Sequence, residues 1–207
     1  MNIERWKTLL SALGARADTE TFAKLEAAYS EKHRAYHTTR HIDECLTLLN
    51  EFRSLAAHPE EVECALWFHD AIYEPMSGSN EERSAEWAVE FCQGVGVRKE
   101  GAERIRSHIM ATSHVGLAED NDGRLVVDID LAILGSDADR YAEFERDVRK
   151  EYKWVPGMIY RKKRAEILRS FLDRGRIYHW DQAYEKFEAQ ARINVAQVIH
   201  ALSGGSS

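Results

Sequence analysis

Four residues along the chain combine a type suited to metal ligation with a position among apolar neighbours: His41, the adjacent pair His69-Asp70, and Asp130. His41 stands one turn before Cys45 on a stripe that continues through Leu46, Leu49 and Phe52. His69 continues the stripe Val62, Ala65 and Leu66, and Asp70 follows Leu66 by four. Asp130 shares a face with Val127, Leu131 and Leu134, which favours it over Asp128. Ionisable groups set among core residues cost several kcal/mol, of order 2–7, unless they are paired or bind an ion. Two imidazoles and two carboxylates aimed into one core therefore point to a divalent cation held by nitrogen and oxygen. That donor set suits Zn, Mn, Fe, Co, Ni or Mg rather than a thiolate site.

Residues so far apart in sequence need several elements to bring them together, and the apolar spacing of 3 and 4 makes those elements helices. Ile3, Trp6 and Leu10 begin the pattern, and Phe22, Leu25 and Tyr29 continue it after Asp18, an expected N-cap. Pro59 suits the first turn of the helix that leads to His69. Asn80 is expected to cap a helix with Ala85, Ala88 and Cys92 inward and Glu81 on the same stripe. Ile105, His108, Ile109 and Thr112 align on the next one. Leu125 to Leu134 is strongly apolar and is read as helix from its surroundings. Ser136 with Asp139 predicts the start of a helix burying Tyr141, Phe144 and Val148. Pro156 opens one burying Tyr160, Ile167, Leu168 and Phe171, and the last carries Tyr184, Phe187, Ala191, Val198 and Leu202 inward. The expected fold is all-α, a compact helical bundle of about eight to ten helices. One domain is expected over residues 1–202, followed by a flexible tail over 203–207.

The order His, His-Asp, Asp resembles the ligand set of the HD superfamily of metal-dependent phosphohydrolases, over roughly residues 30–170. Tyr36-His37-Thr38-Thr39-Arg40-His41 is also similar to the Tyr-His-Asn-x-x-His signature of cyclic-nucleotide phosphodiesterases in that superfamily. Thr38 stands where that signature has asparagine, and the later phosphodiesterase hallmark is absent. The resemblance is thus closer to the small bacterial-type HD phosphohydrolases. It implies an HD-domain-like bundle with His41, His69, Asp70 and Asp130 as ligands to one or two divalent ions, and Asp130 as the second aspartate of Asp128-Ile129-Asp130. A bound cation lowers the pKa of water and polarises a phosphoryl oxygen. His37 would protonate the leaving oxygen, and Glu81 would orient water or act as base, the alternative being a solvated first-turn glutamate. A second ion or a substrate phosphate would engage His108 or, by preference, His114 at the loop edge. The same scaffold also supports di-iron oxygenases and non-catalytic nucleotide sensors.

Within the basic run Arg161 to Arg164, Arg164 alone shares the apolar stripe, which makes it a candidate for bidentate phosphate contact; its alternative is a partner for Glu151 or Asp147. Tyr73 and Trp67, flanking the His-Asp pair, are read as core, with stacking on a base as the alternative. The chain has 207 residues, and 28 Lys+Arg against 35 Asp+Glu give a net charge of −7, which argues against a nucleic-acid polymer or an anionic membrane as partner. A small phosphorylated substrate, by preference a nucleotide, remains compatible with that charge. A homo-oligomer is an open assembly state. Cys45, Cys64 and Cys92 lie apart on apolar stripes and read as buried free thiols, hence a reducing, cytoplasmic setting.

Overall fold

The first helix begins at Ile3 because Asn2 accepts hydrogen bonds from the Glu4 and Arg5 amides, and nine more helices follow without a strand among the described residues. The structure is a computed structural model and describes residues 1–113, 118 and 120–204. In order the helices are α1 (Ile3–Ala12), α2 (Glu20–Ala28), α3 (Thr39–Phe52), α4 (Pro59–Phe68), α5 (Asn80–Val95), α6 (Lys99–Ala111), α7 (Asn121–Asp130), α8 (Ala138–Glu151), α9 (Gly157–Leu172) and α10 (Asp181–Ser203). The all-α expectation and its helix number hold. Among the described residues, no helix is long and apolar enough to cross a membrane. The chain divides into two units, Met1–Asp130 and Leu131–Ser207.

In the first unit α4 is the central element. Every residue from Glu61 to Phe68 is buried, and α4 packs against α1, α3, α5, α6 and α7. A helix apolar on all sides must be surrounded, and this one carries two acids inside. Glu61 receives both Nε and Nη2 of Arg104 at 2.7 Å, while Glu63 is shared by Arg5 and Arg53 at 2.7 and 2.8 Å. Pro59 occupies the first turn as expected. The α4 N-terminus is capped from a distance: the buried Asp122 carboxylate in α7 accepts the Ala57 and His58 amides, both at 2.8 Å. At the other end Trp67 and Phe68 lock into an aromatic cluster with Trp6, Phe22 and Phe91. Trp67 is fully buried there, so it is core and unavailable for stacking on a base.

The second unit departs from its apolar reading. Ile167 and Tyr184 are exposed, whereas Glu188 and Asn194 take the inner face of α10. The reason is backbone satisfaction. Glu188 accepts the Ile177 and Tyr178 amides and is bonded to Arg192; Asn194 Nδ2 donates to the carbonyls of Leu134 and Ser136. Two helix caps shift by one position. Ser79 rather than Asn80 precedes α5, with the Asn80 side chain bonded to the Glu74 backbone, and Asp137 caps α8 through the Arg140 amide in place of Ser136 with Asp139. Helix α10 continues to Ser203, one residue past its expected limit, and 205–207 lie outside the described residues.

Gly135 ends the 3₁₀ turn Leu131–Gly135, and a Cβ placed there would meet Phe187 Cβ and the Phe187 carbonyl oxygen at 2.6 Å. Backbone cannot yield as a side chain can. Gly135→Ala is therefore expected to destabilise the protein by about 2 kcal/mol, read as a lowered midpoint in urea denaturation; an unchanged midpoint would show that α10 does not approach so closely.

Candidate metal centre

The four donors converge because three helices end or begin at the same place. His41 is in the first turn of α3, His69 caps the C-terminus of α4, Asp70 follows it, and Asp130 is the last residue of α7. All four belong to the first unit. The carboxyl ends of α4 and α7 add the partial negative charge of a helix terminus, which favours a cation.

The donor atoms are closely spaced. His41 Nε2 lies 3.1 Å from His69 Nε2, 3.6 Å from Asp70 Oδ2 and 3.3 Å from Asp130 Oδ1; His69 Nε2 lies 3.2 Å from Asp70 Oδ2 and 3.5 Å from Asp130 Oδ1. With metal–ligand bonds of about 2.1 Å, neighbouring donors are about 3.0 Å apart in an octahedron and about 3.4 Å apart in a tetrahedron. The observed separations fit a shared ion. His69 is also oriented for this: its Nδ1 donates to the Leu66 carbonyl at 2.9 Å, so that once Nε2 gives up its proton its lone pair faces the other donors. The same bond satisfies a carbonyl that the end of α4 leaves open. The histidines are buried, but the Asp70 and Asp130 side chains are each 16% exposed, so the centre is reached from its carboxylate side.

Without an ion the cluster is held by protons. Burial opposes charge on His69, yet Asp70 and Asp130 beside it hold the imidazole well above its ordinary 6.5. Burial likewise opposes charge on Asp70, and His69 and His37 hold it below the ordinary 3.8.

Cys45 also lies close to both histidines. Its Sγ is 3.7 Å from His41 Nδ1 and 3.8 Å from Nε2. Being nearly equidistant from the two nitrogens, the sulfur lies beside the ring, not beyond either lone pair. It is placed to support His41, and the two-histidine, two-aspartate set is the better cation site. The three cysteines are buried and free, as read from the sequence.

Asp128, fully buried, is outside the metal-capable groups found among the described residues, and Asp130 is inside one. His37 stands in the turn before α3, its ring stacked on Tyr73 at 4.1 Å and 6.2 Å from the His41 ring. Glu81 is half-buried in the first turn of α5. His108 is buried and faces Asp120 at 3.3 Å, a carboxylate that also caps α7 through the Gly123 amide. His114 lies outside the described residues.

Arg164 is in the second unit, where its Nε and Nη2 are bidentate to Glu145 at 3.1 and 2.7 Å and its guanidinium lies against Phe144. It has the acidic partner of its alternative reading, though neither Glu151 nor Asp147, because Glu145 is the carboxylate of α8 that α9 meets at this level. That pairing commits the fork that a phosphate would need.

The chain matches no family model, no curated protein and no solved structure. What the centre can do is therefore set by its own chemistry.

One residue next to the centre gives no signal in the sequence. Arg34, in the turn between α2 and α3, donates to the carbonyls of His37, Asp70 and Ala71. A single arginine in a loop shows no periodicity, and only the fold reveals which carbonyls it reaches.

Proposed function

We propose that the protein is a divalent-metal-dependent phosphohydrolase of the HD type that cleaves a phosphate ester of a small molecule, by preference a nucleotide. The observation that carries this reading is the convergence of His41, His69, Asp70 and Asp130 within 4.8 Å of one another, each histidine Nε2 lying within 3.6 Å of both carboxylates, with His69 Nε2 turned inward by the bond from Nδ1 to Leu66. A divalent cation bound there supplies Lewis-acid polarisation of a phosphoryl oxygen and makes water acidic enough to act near neutral pH.

The chain's own groups would supply the rest. His41 and His69 orient the centre from the buried side, while Asp70 and Asp130 face the opening through which an ester and water arrive. His37, whose ring stacks on Tyr73 and lies 6.2 Å from the His41 ring, would hold a proton for the leaving oxygen. Glu81 is the candidate for orienting water. The negative total charge is compatible with a phosphate ester because two of the acids belong to the centre and are offset locally by the ion.

The test is a panel of nucleoside mono-, di- and triphosphates, cyclic nucleotides and simple phosphomonoesters with Mn, Co, Ni, Mg, Zn or Fe(II). Chelator-sensitive release of phosphate or nucleoside is expected for at least one pairing. No turnover across the panel would overturn the hydrolase reading.

A further inference from the structure

We infer that Arg34 is a positioning residue of the metal centre, its guanidinium fixing the main chain on which His37 and Asp70 stand. The inference rests on the metal-site reading above. The Arg34 side chain is fully buried. Nη1 donates to the Asp70 carbonyl at 2.7 Å and the His37 carbonyl at 3.2 Å, Nη2 to the Ala71 carbonyl at 3.0 Å, and Nε to Glu31 at 3.0 Å. The guanidinium also lies 5.2 Å from the Tyr29 ring centre and 5.5 Å from that of Tyr73, the ring on which His37 stacks.

A buried guanidinium is costly to desolvate, and its acidic partner among the described residues, Glu31, is 47% exposed and so only a partial counterweight. The three carbonyls provide the remaining compensation, and their identity is informative. Asp70 and Ala71 follow the end of α4, where no helical amide reaches their oxygens; His37 belongs to the separate segment that enters α3. One nitrogen, Nη1, bonds a carbonyl from each. The distance between the backbone of the candidate acid and that of a candidate ligand is thereby held by a single planar group. Lysine carries the charge but cannot span three acceptors in a fork. Displacements of about 1 Å are enough to impair a site of this kind.

The test uses Co²⁺ as ligand and spectroscopic probe, with wild type, Arg34→Ala, Arg34→Lys and Gly135→Ala compared. Gly135→Ala lowers stability from the second unit and should leave the cobalt spectrum and affinity unchanged, which separates positioning from general stabilisation. Arg34→Ala, checked for helicity by circular dichroism, is expected to bind Co²⁺ about 10- to 100-fold more weakly with altered visible bands. Methylguanidinium should restore both. Wild-type affinity and spectrum in folded Arg34→Ala would overturn the inference while leaving the metal centre intact. Should Arg34→Ala fail to fold, Arg34→Lys decides: altered bands support positioning and wild-type bands overturn it. If wild type itself gives no cobalt spectrum, the metal-site reading fails, and this inference with it.

Discussion

Asp70→Ala is expected to lower phosphate-ester turnover by about a thousandfold or more while leaving the helices in place. The size follows from the role: Lewis-acid stabilisation of a phosphoryl transition state is worth several kcal/mol, and about 4 kcal/mol corresponds to a factor of about a thousand in rate. Asp70 Oδ2 lies 3.6 Å from His41 Nε2 and 3.2 Å from His69 Nε2, and its side chain is partly open to solvent. The fold should survive because the structural hydrogen bond at this residue is accepted by its carbonyl, from Arg34, and alanine keeps that carbonyl. Steady-state rates on the active ester, with circular dichroism of the same preparation, check both halves. Retention of even a tenth of wild-type turnover would remove Asp70 from the reaction.

The second large effect is the pH dependence of metal binding. Above pH 6 the apparent affinity is expected to rise with pH, by up to about tenfold per unit, because the ion must displace one proton from His69 to use its Nε2. The sign follows from the shift: Asp70 and Asp130 raise the His69 value against burial, so the proton is held more tightly than on a free imidazole. Affinity climbs until the pH passes that raised value and then levels off.

The protein without metal behaves in the opposite sense. A raised histidine contributes stability that is complete below its unfolded value of 6.5 and is lost as pH rises through the folded value; a lowered Asp70 contributes stability present above 3.8 and lost as pH falls through its folded value. Both contributions are present between about pH 4 and 6.5, using the ordinary values as limits. Thermal melts with and without Zn²⁺ should therefore move apart between pH 6 and pH 8. Parallel melts across that range would show that His69 does not exchange its proton for the ion.

Much of the candidate centre was legible in the sequence because its donor residues interrupt apolar stripes. His41 and His69 sit at core positions of α3 and at the end of α4, and Asp130 was separated from Asp128 by the face it shares with Val127 and Leu131. The same counting failed where polar residues serve the backbone. Glu188 and Asn194 occupy the inner face of α10 because the Ile177, Tyr178, Leu134 and Ser136 backbone groups need partners, and apolar periodicity assigns that face to Tyr184 and Val198 instead. Asp122 and Arg34 were silent for a related reason: the groups they bond, the start of α4 and the turn after it, are distant in sequence and adjacent only in the fold. Arg164 shows the limit of stripe reasoning in the other direction, since the stripe gives its inward placement but not its partner, Glu145.

The central claim is that His41, His69, Asp70 and Asp130 form one divalent-cation centre. Equilibrium dialysis against Zn²⁺ followed by elemental analysis, on wild type and on a His69→Ala/Asp130→Ala variant of matched helicity, measures it most directly. At least one ion per chain retained by wild type and lost from the variant is the expected result. Equal zinc in the two proteins, or none in wild type, would contradict it.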